Sequence, residues 1–219
     1  MVSGVLFDVD GTLVDTTYLH AVTWWGALRQ AGHDVPMSRI HPAIGMGADK
    51  ILDFLLGSDR DRSNDEAMTA GHSSRYGDYW TRLRPLPGAT DLIRACVDRG
   101  LQVVLATSAS QEELAALRAA LGADEFITAA TSADDASESK PAPDILEVAL
   151  HKSGLKAHEV AFVGDSIWDV HAANRLEIPC VALTCGGTCE RDLREAGAIA
   201  IYSNPKELLA KLNESPLST

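Results

Sequence analysis

The first apolar run, Val5-Leu6-Phe7, follows Gly4, stops at Asp8 and contains β-branched and aromatic residues. Such a run reads as a strand buried on both faces. Asp15 or Thr16 then caps a helix over residues 16–31, with Gly32 as its stop. From there to Arg84 the apolar positions recur at helical spacing, as in Ile51, Leu52, Leu55 and Leu56 before Gly57. A densely charged stretch, 59–65, reads as a solvated loop, and a further helix is expected over 65–83. The pattern changes at Pro85-Leu86-Pro87-Gly88, a stiff connector. Beyond it the periods alternate. Helices are expected over 89–98, 111–121, 143–153, 167–176, 190–196 and 205–212. Strands are expected over 101–106, 126–129, 160–164, 179–183 and 199–202. The tail, 213–219, reads as frayed.

Strands and helices alternating at this spacing predict an α/β fold. It is a doubly wound, Rossmann-like, mainly parallel sheet with helices on both faces. In such sheets ligands sit outside the carboxyl ends of the strands, where the strand order reverses. The helical block is inserted straight after the first strand, so it rises from that edge. The expected organisation is a discontinuous core, 1–15 and 86–212, with an inserted helical cap, 16–85, and the frayed tail.

Composition narrows the partners. The chain has 219 residues, 46% hydrophobic and 23% charged, which is ordinary globular composition. Its formal net charge of -12 argues against nucleic acid and anionic membrane surfaces. A small anionic substrate remains compatible with it, because a local cation overrides the global field. No apolar run approaches the roughly 18 residues of a membrane span. The first strand begins almost at Met1, which gives the expectation of no signal peptide and a cytoplasmic location with reduced thiols. Cys96, Cys180, Cys185 and Cys189 accordingly read as plain thiols, the last two being too poor in nearby ligands for a metal site. Monomer and weak dimer are both open.

The strand ends carry the chemistry. The first ends in Asp8 and Asp10, and Asp-Gly there is also ordinary turn chemistry. The second ends in Thr107 and Ser108, the third leads to Lys140-Pro141, and the fourth ends in Gly164-Asp165-Ser166 with Asp169 one helical turn on. The fold brings these to one edge. Asp8, Asp10, Asp165 and Asp169 together would repel strongly without a cation. Oxygen donors without thiolates or a histidine cluster select Mg2+.

The set Asp8-x-Asp10-Gly11-Thr12, Thr107, Lys140-Pro141 and Gly164-Asp165-Ser166-x-x-Asp169, in that order, resembles the haloacid dehalogenase (HAD) superfamily of hydrolases. The closest resemblance within it is to helical-cap members such as phosphoglycolate phosphatases and beta-phosphoglucomutases. That resemblance implies Asp8 as nucleophile, forming an aspartyl-phosphate. It implies Mg2+ on Asp8, the Asp10 backbone carbonyl and Asp165, with Asp169 outside them or acting through water. Asp10 would be general acid and then general base, a role that calls for a raised pKa. Thr107 would hydrogen-bond a phosphoryl oxygen, and Lys140 would supply fixed positive charge. The N–H groups of Val9, Asp10 and Ser108 are further phosphate donors.

Asp10 argues for phosphate esters, since the superfamily's dehalogenases and phosphonate-cleaving members lack an acid there. Phosphatase and mutase are harder to part. Thr16, His20 and Trp24 share one face of the first cap helix, as in the sugar-phosphate mutases. Those mutases also carry an arginine in the cap turn, whereas Gly45-Met46-Gly47-Ala48-Asp49 has none. His20 reads as an active-site group or as a packed cap histidine, and Trp24 and Trp25 as core. Arg82 and Arg84 lie near the return crossing, within reach of an anionic substrate. The expected function is a Mg2+-dependent phosphatase of a small phosphorylated metabolite. The alternatives are a sugar-phosphate mutase and a catalytically silent phosphometabolite-binding protein.

Overall fold

The computed structural model describes residues 2–218 and places β1 (Gly4–Phe7) in the middle of a six-stranded sheet. Val5 and Phe7 face one side and Leu6 the other, as the two-residue period of a strand requires. All four strand residues are buried, so the absence of polar alternation is explained by packing on both faces.

The chain then leaves the sheet. After Val14 it enters α1 (Thr17–Gln30), α2 (Met37–Ile40), α3 (Ala48–Leu56) and α4 (Asp65–Gly77). These helices share an apolar cluster of their own, in which Leu28, Ile40, Ile51, Leu52 and Met68 are buried. The chain returns beside its point of exit. Asp15 N–H donates to the Arg84 carbonyl at 3.1 Å and Leu86 N–H to the Leu13 carbonyl at 2.8 Å, an antiparallel stem around a single bridge between Val14 and Pro85.

From there the alternation is regular. α5 (Ala89–Asp98), β2 (Gln102–Ala106), α6 (Gln111–Leu121), β3 (Ala129–Thr131) and α7 (Asp144–Ser153) follow in turn. β4 (Val160–Gly164), α8 (Ile167–Arg175), β5 (Cys180–Leu183), α9 (Glu190–Ala196), β6 (Ala200–Tyr202) and α10 (Pro205–Ala210) complete the fold. The strand order is β3-β2-β1-β4-β5-β6 and every pairing is parallel. The order reverses between β1 and β4, so the crevice for a ligand opens at their carboxyl ends, beneath the inserted helices. Leu92, Leu114, Leu117 and Leu208 cover one face of the sheet, and Leu146, Val170 and Leu193 the other.

Three expectations need correction. The helix expected over 65–83 ends at Gly77, and Trp80–Arg82 is a 3-10 turn. The strand expected over 126–129 is shifted to Ala129–Thr131, where Val104 pairs with Ala129 and Ala106 with Thr131. Phe126 belongs to a 3-10 turn, where its ring packs beneath Arg94, so the strongest apolar signal lay just outside the strand. The tail is not frayed over 213–218. Leu217 is fully buried in the core, and the Ser215 hydroxyl donates to the Leu212 carbonyl at 2.8 Å while accepting from Leu217 N–H. Thr219 lies outside the described residues. No described helix is long and apolar enough to cross a membrane.

Candidate active site

Asp8 leaves the end of β1 with its carboxylate buried against Lys140. Lys140 Nζ lies 2.5 Å from Asp8 Oδ1 and 2.7 Å from Asp169 Oδ1, so one ammonium bridges two acids from different elements. Asp169 is fixed by its own helix start: its Oδ2 accepts from Ser166 N–H and from the Ser166 hydroxyl at 2.7 Å, the reciprocal cap of α8. Asp165, at the end of β4, accepts from the Thr12 hydroxyl at 3.0 Å. A Cβ on Gly186 would lie 1.6 Å from Asp165 Oδ2, so this carboxylate occupies space only a glycine leaves.

One oxygen from each of Asp8, Asp165 and Asp169 falls within 4.8 Å of the others. Burial pushes Asp8 up to about 7, partly offset by Lys140 and reinforced by Asp169 and Asp10. Burial, with the charges of Asp8 and Asp169, holds Asp165 well above the carboxylate range. Burial alone would favour loss of the Lys140 proton, but Asp169 and Asp8 outweigh it and keep the ammonium charged. Three buried carboxylates against one ammonium make a set of hard oxygen donors, and the donor chemistry fits Mg2+.

Asp10 belongs to a second group. Its Oδ1 accepts from the Thr16 hydroxyl at 2.8 Å and lies 3.2 Å from His20 Nε2, and the Thr107 hydroxyl donates to Oδ2 at 3.3 Å. Burial alone would raise Asp10, but the His20 hydrogen bond and charge, with Thr16 and Lys140, hold it below the usual range. The expectation of a raised Asp10 is therefore corrected, because α1 delivers two donors to it. An ionised Asp10 accepts only, so Nε2 carries hydrogen. His20 Nδ1 faces His72 Nε2 at 3.2 Å. Burial opposes charge on His20, but the Asp10 hydrogen bond and the charges of Glu113 and Asp10 raise its pKa. Burial and the neighbouring His20 charge keep His72 well below its ordinary value. Glu113 Oε1 lies 3.3 Å from His20 Nε2, and burial pushes this carboxyl up to about 7 against the pull of His20.

Both groups open onto one cavity of about 350 Å3 between the inserted helices and the sheet edge. Asp8, Asp10, Thr107, Ser108, Lys140 and His20 line it, so the sequence-expected residues converge. Asp165 and Asp169 lie behind Asp8, buried. Among the described residues the N–H groups of Val9, Asp10 and Ser108 have no backbone acceptor, and the buried Ser108 hydroxyl has no partner at all. Such a cluster of free donors beside a carboxylate suits a tetrahedral oxyanion. Trp24 is core, as expected, yet also lines the cavity, with its ring stacked 4.3 Å from His72. Arg82 and Arg84 do not reach it: both are exposed and bond to local carbonyls, those of Asp78 and Leu83. All four cysteines are free thiols.

Sequence reasoning quoted Thr12 in the motif without a role, and missed His72 and Glu113. Glu113 sits in the first turn of α6, where an acid is expected for capping reasons alone. His72 lies on α4 with no motif around it.

The cavity is closed by contacts between the inserted block and the core. Trp168 Nε1 donates to the Pro42 carbonyl at 2.9 Å, His41 Nε2 lies 3.0 Å from the Gly186 carbonyl, and Lys50 pairs with Glu138 at 2.7 Å. Ser139 accepts from Gly47 N–H at 3.1 Å and donates to Asp49.

Comparison with known proteins agrees with this geometry. The haloacid dehalogenase-like hydrolase family model matches residues 2–176, and a second HAD-hydrolase-like model matches residues 138–215. A phosphoglycolate phosphatase from Yersinia pestis is 30% identical over 191 residues, covering 84% of this chain and 82% of the relative. A hydrolase from Pseudomonas syringae of known structure is 32% identical with a TM-score of 0.92, covering 97% of this chain and 98% of that one. A putative beta-phosphoglucomutase from Bacteroides vulgatus, 20% identical with a TM-score of 0.87 over 97% of this chain and 88% of that one, shares the fold. With the motif acids, the lysine and the threonine gathered at the reversal of strand order, the chain belongs to the haloacid dehalogenase-like hydrolases, as a phosphatase-type enzyme.

Proposed function

We propose that the protein is a Mg2+-dependent phosphatase that hydrolyses a small phosphate monoester through an aspartyl-phosphate on Asp8. The observation that carries this reading is the division of labour between two acids one residue apart. Asp8 is paired with a lysine beside the other carboxylates, while Asp10 is hydrogen-bonded to a histidine of the inserted block.

In this reading an Asp8 oxygen attacks phosphorus in line, and the bond from phosphorus to the leaving alcohol oxygen breaks. Lys140 holds positive charge beside the attacking carboxylate. The free N–H groups of Val9, Asp10 and Ser108, with the Thr107 and Ser108 hydroxyls, receive the phosphoryl oxygens. Asp10 and His20 hold a proton between them, and Asp10 passes it to the departing oxygen. Asp10 then takes a proton from the water that hydrolyses the acyl phosphate. Asp8, Asp165 and the Asp10 carbonyl would hold Mg2+, with Asp169 fixing Lys140 behind them. When bound, the ion supplies charge that screens carboxylate from phosphate. The closed inserted block keeps bulk water from the acyl phosphate.

A mutase needs a second phosphate site, and among the described residues no arginine lines the cavity. The relatives' name makes 2-phosphoglycolate the first metabolite to assay. Asp8→Asn is expected to abolish hydrolysis of p-nitrophenyl phosphate, and EDTA to abolish it reversibly on Mg2+ return. Full activity of the variant, or in EDTA, overturns the mechanism.

A further inference from the structure

Resting on the phosphatase reading, we infer that the alcohol part of the substrate carries no negative charge, and that Glu113 receives its hydroxyl or ammonium group. The cavity's one ammonium, among the described residues, is Lys140, and it is already bridged between Asp8 and Asp169. No arginine lines the cavity, and Lys50 is turned to Glu138 at the rim. A carboxylate or second phosphate on the leaving group therefore meets no free lysine or arginine, and the His20 Nε2 is already turned to Asp10.

It meets acids instead. Asp49, Glu113 and Glu138 also line the cavity, Glu113 beside Asp10 and His20. Asp49 is occupied by Ser139 N–H and hydroxyl, and Glu138 by Lys50. Glu113 differs. Its Oε1 is buried and accepts no hydrogen bond, although His20 Nε2 is only 3.3 Å away. The single Nε2 hydrogen is directed to Asp10, so it cannot also serve Glu113. A buried acceptor left open in a ligand cavity is a place for a donor. Hydroxyl and ammonium groups donate; carboxylate and phosphate groups only accept, and like charge at a water-poor wall repels them. Thr69, Ser73 and Ser110 add neutral hydroxyls to the cavity lining. The matching substrates are polyol and amino-alcohol monophosphates. Phosphocarboxylates and bisphosphates are disfavoured.

The test compares kcat/KM for the Mg2+-loaded enzyme at pH 8, above the value of about 7 to which burial pushes the Glu113 carboxyl, on glycerol 1-phosphate and O-phosphoethanolamine against 2-phosphoglycolate and 3-phosphoglycerate. The first pair is expected to be favoured by about tenfold or more, the scale on which an unpaired buried polar wall discriminates. Glu113→Gln removes the charge and keeps the shape, and is expected to narrow that ratio several-fold, mainly through KM of the carboxylates. Preference for the carboxylates, or a ratio unmoved in a folded variant, overturns the inference. The wild-type panel stands whether or not the variant folds. If no ester, p-nitrophenyl phosphate included, is turned over, the phosphatase reading fails by itself. Calorimetric binding of the same four compounds to Asp8→Asn with Mg2+ then decides the charge preference: tighter binding of the uncharged and ammonium compounds supports it, and equal or tighter binding of the carboxylates overturns it.

Discussion

Asp8 and Asp10 have the same side chain, one residue apart, and opposite proton affinities. Burial lifts Asp8 to about 7, whereas His20 and Thr16 hold Asp10 low. Identity was legible in the sequence for Asp8, Asp10, Lys140 and Asp165, because each stands at a strand end or beside a proline in a fixed motif. Protonation was not, because it depends on donors arriving from a helix whose docking no local pattern encodes. Glu113 was invisible for the same reason. Gly186 is a sharper case: its neighbours Cys185 and Gly187 suggest a loop, yet its missing Cβ makes room for Asp165. Gly186→Ala is expected to displace that carboxylate and raise the Mg2+ concentration needed for half-maximal activity by about tenfold, equivalent to about 1.4 kcal/mol. Rate against Mg2+ concentration checks it; recovery at high Mg2+ separates lost affinity from lost folding.

Among elements, α1 does most to complete the site, since it carries His20 and follows directly from Thr16. Its closure onto the sheet depends on a few polar contacts between loops. Trp168, on α8, reaches across to the Pro42 carbonyl. Trp168→Phe removes that donor and keeps a ring beside Phe54. One such bond contributes about 0.5–1.5 kcal/mol, so kcat/KM is expected to fall by up to about tenfold with melting temperature little changed. Steady-state kinetics beside a thermal melt checks this. The elements themselves were largely legible, since apolar runs and glycine stops mark β1, β2, β4 and α6. The misplaced strand and the tail were not. Ala129-Ala130-Thr131 is a strand because β2 offers it an edge, and Leu217 is ordered because the core has a place for it. Both are tertiary decisions made against weak local signals.

For the whole molecule, Asp8, Glu113 and His20 share a consequence. Each binds a proton more tightly in the folded chain than its ordinary value implies. For the two acids, a cost begins above the ordinary carboxylate range and is complete once pH passes about 7. For His20 the favourable pairing is complete below its ordinary 6.5 and is lost above its raised value. All three have one sign: at each the folded chain binds a proton more tightly, so stability falls as pH rises, and His72, held low, opposes them as a single group. In EDTA the melting temperature is expected to be lower at pH 8 than at pH 6, and Asp8→Asn with Glu113→Gln is expected to flatten the slope. A melting temperature rising over that interval contradicts the assignment.

The stem at Asp15 and Arg84 has a different kind of consequence. The two ends of the inserted helices meet at hydrogen-bonding distance, so the sheet experiences some seventy residues as though they were a hairpin turn. Closing the stem fixes the loop entropy almost independently of what lies between its ends. The catalytic floor and the roof over it are thus separable inheritances. A lineage can exchange, enlarge or shrink the roof while β1 continues to present the same two aspartates, and a new specificity need not disturb the strand that does the chemistry.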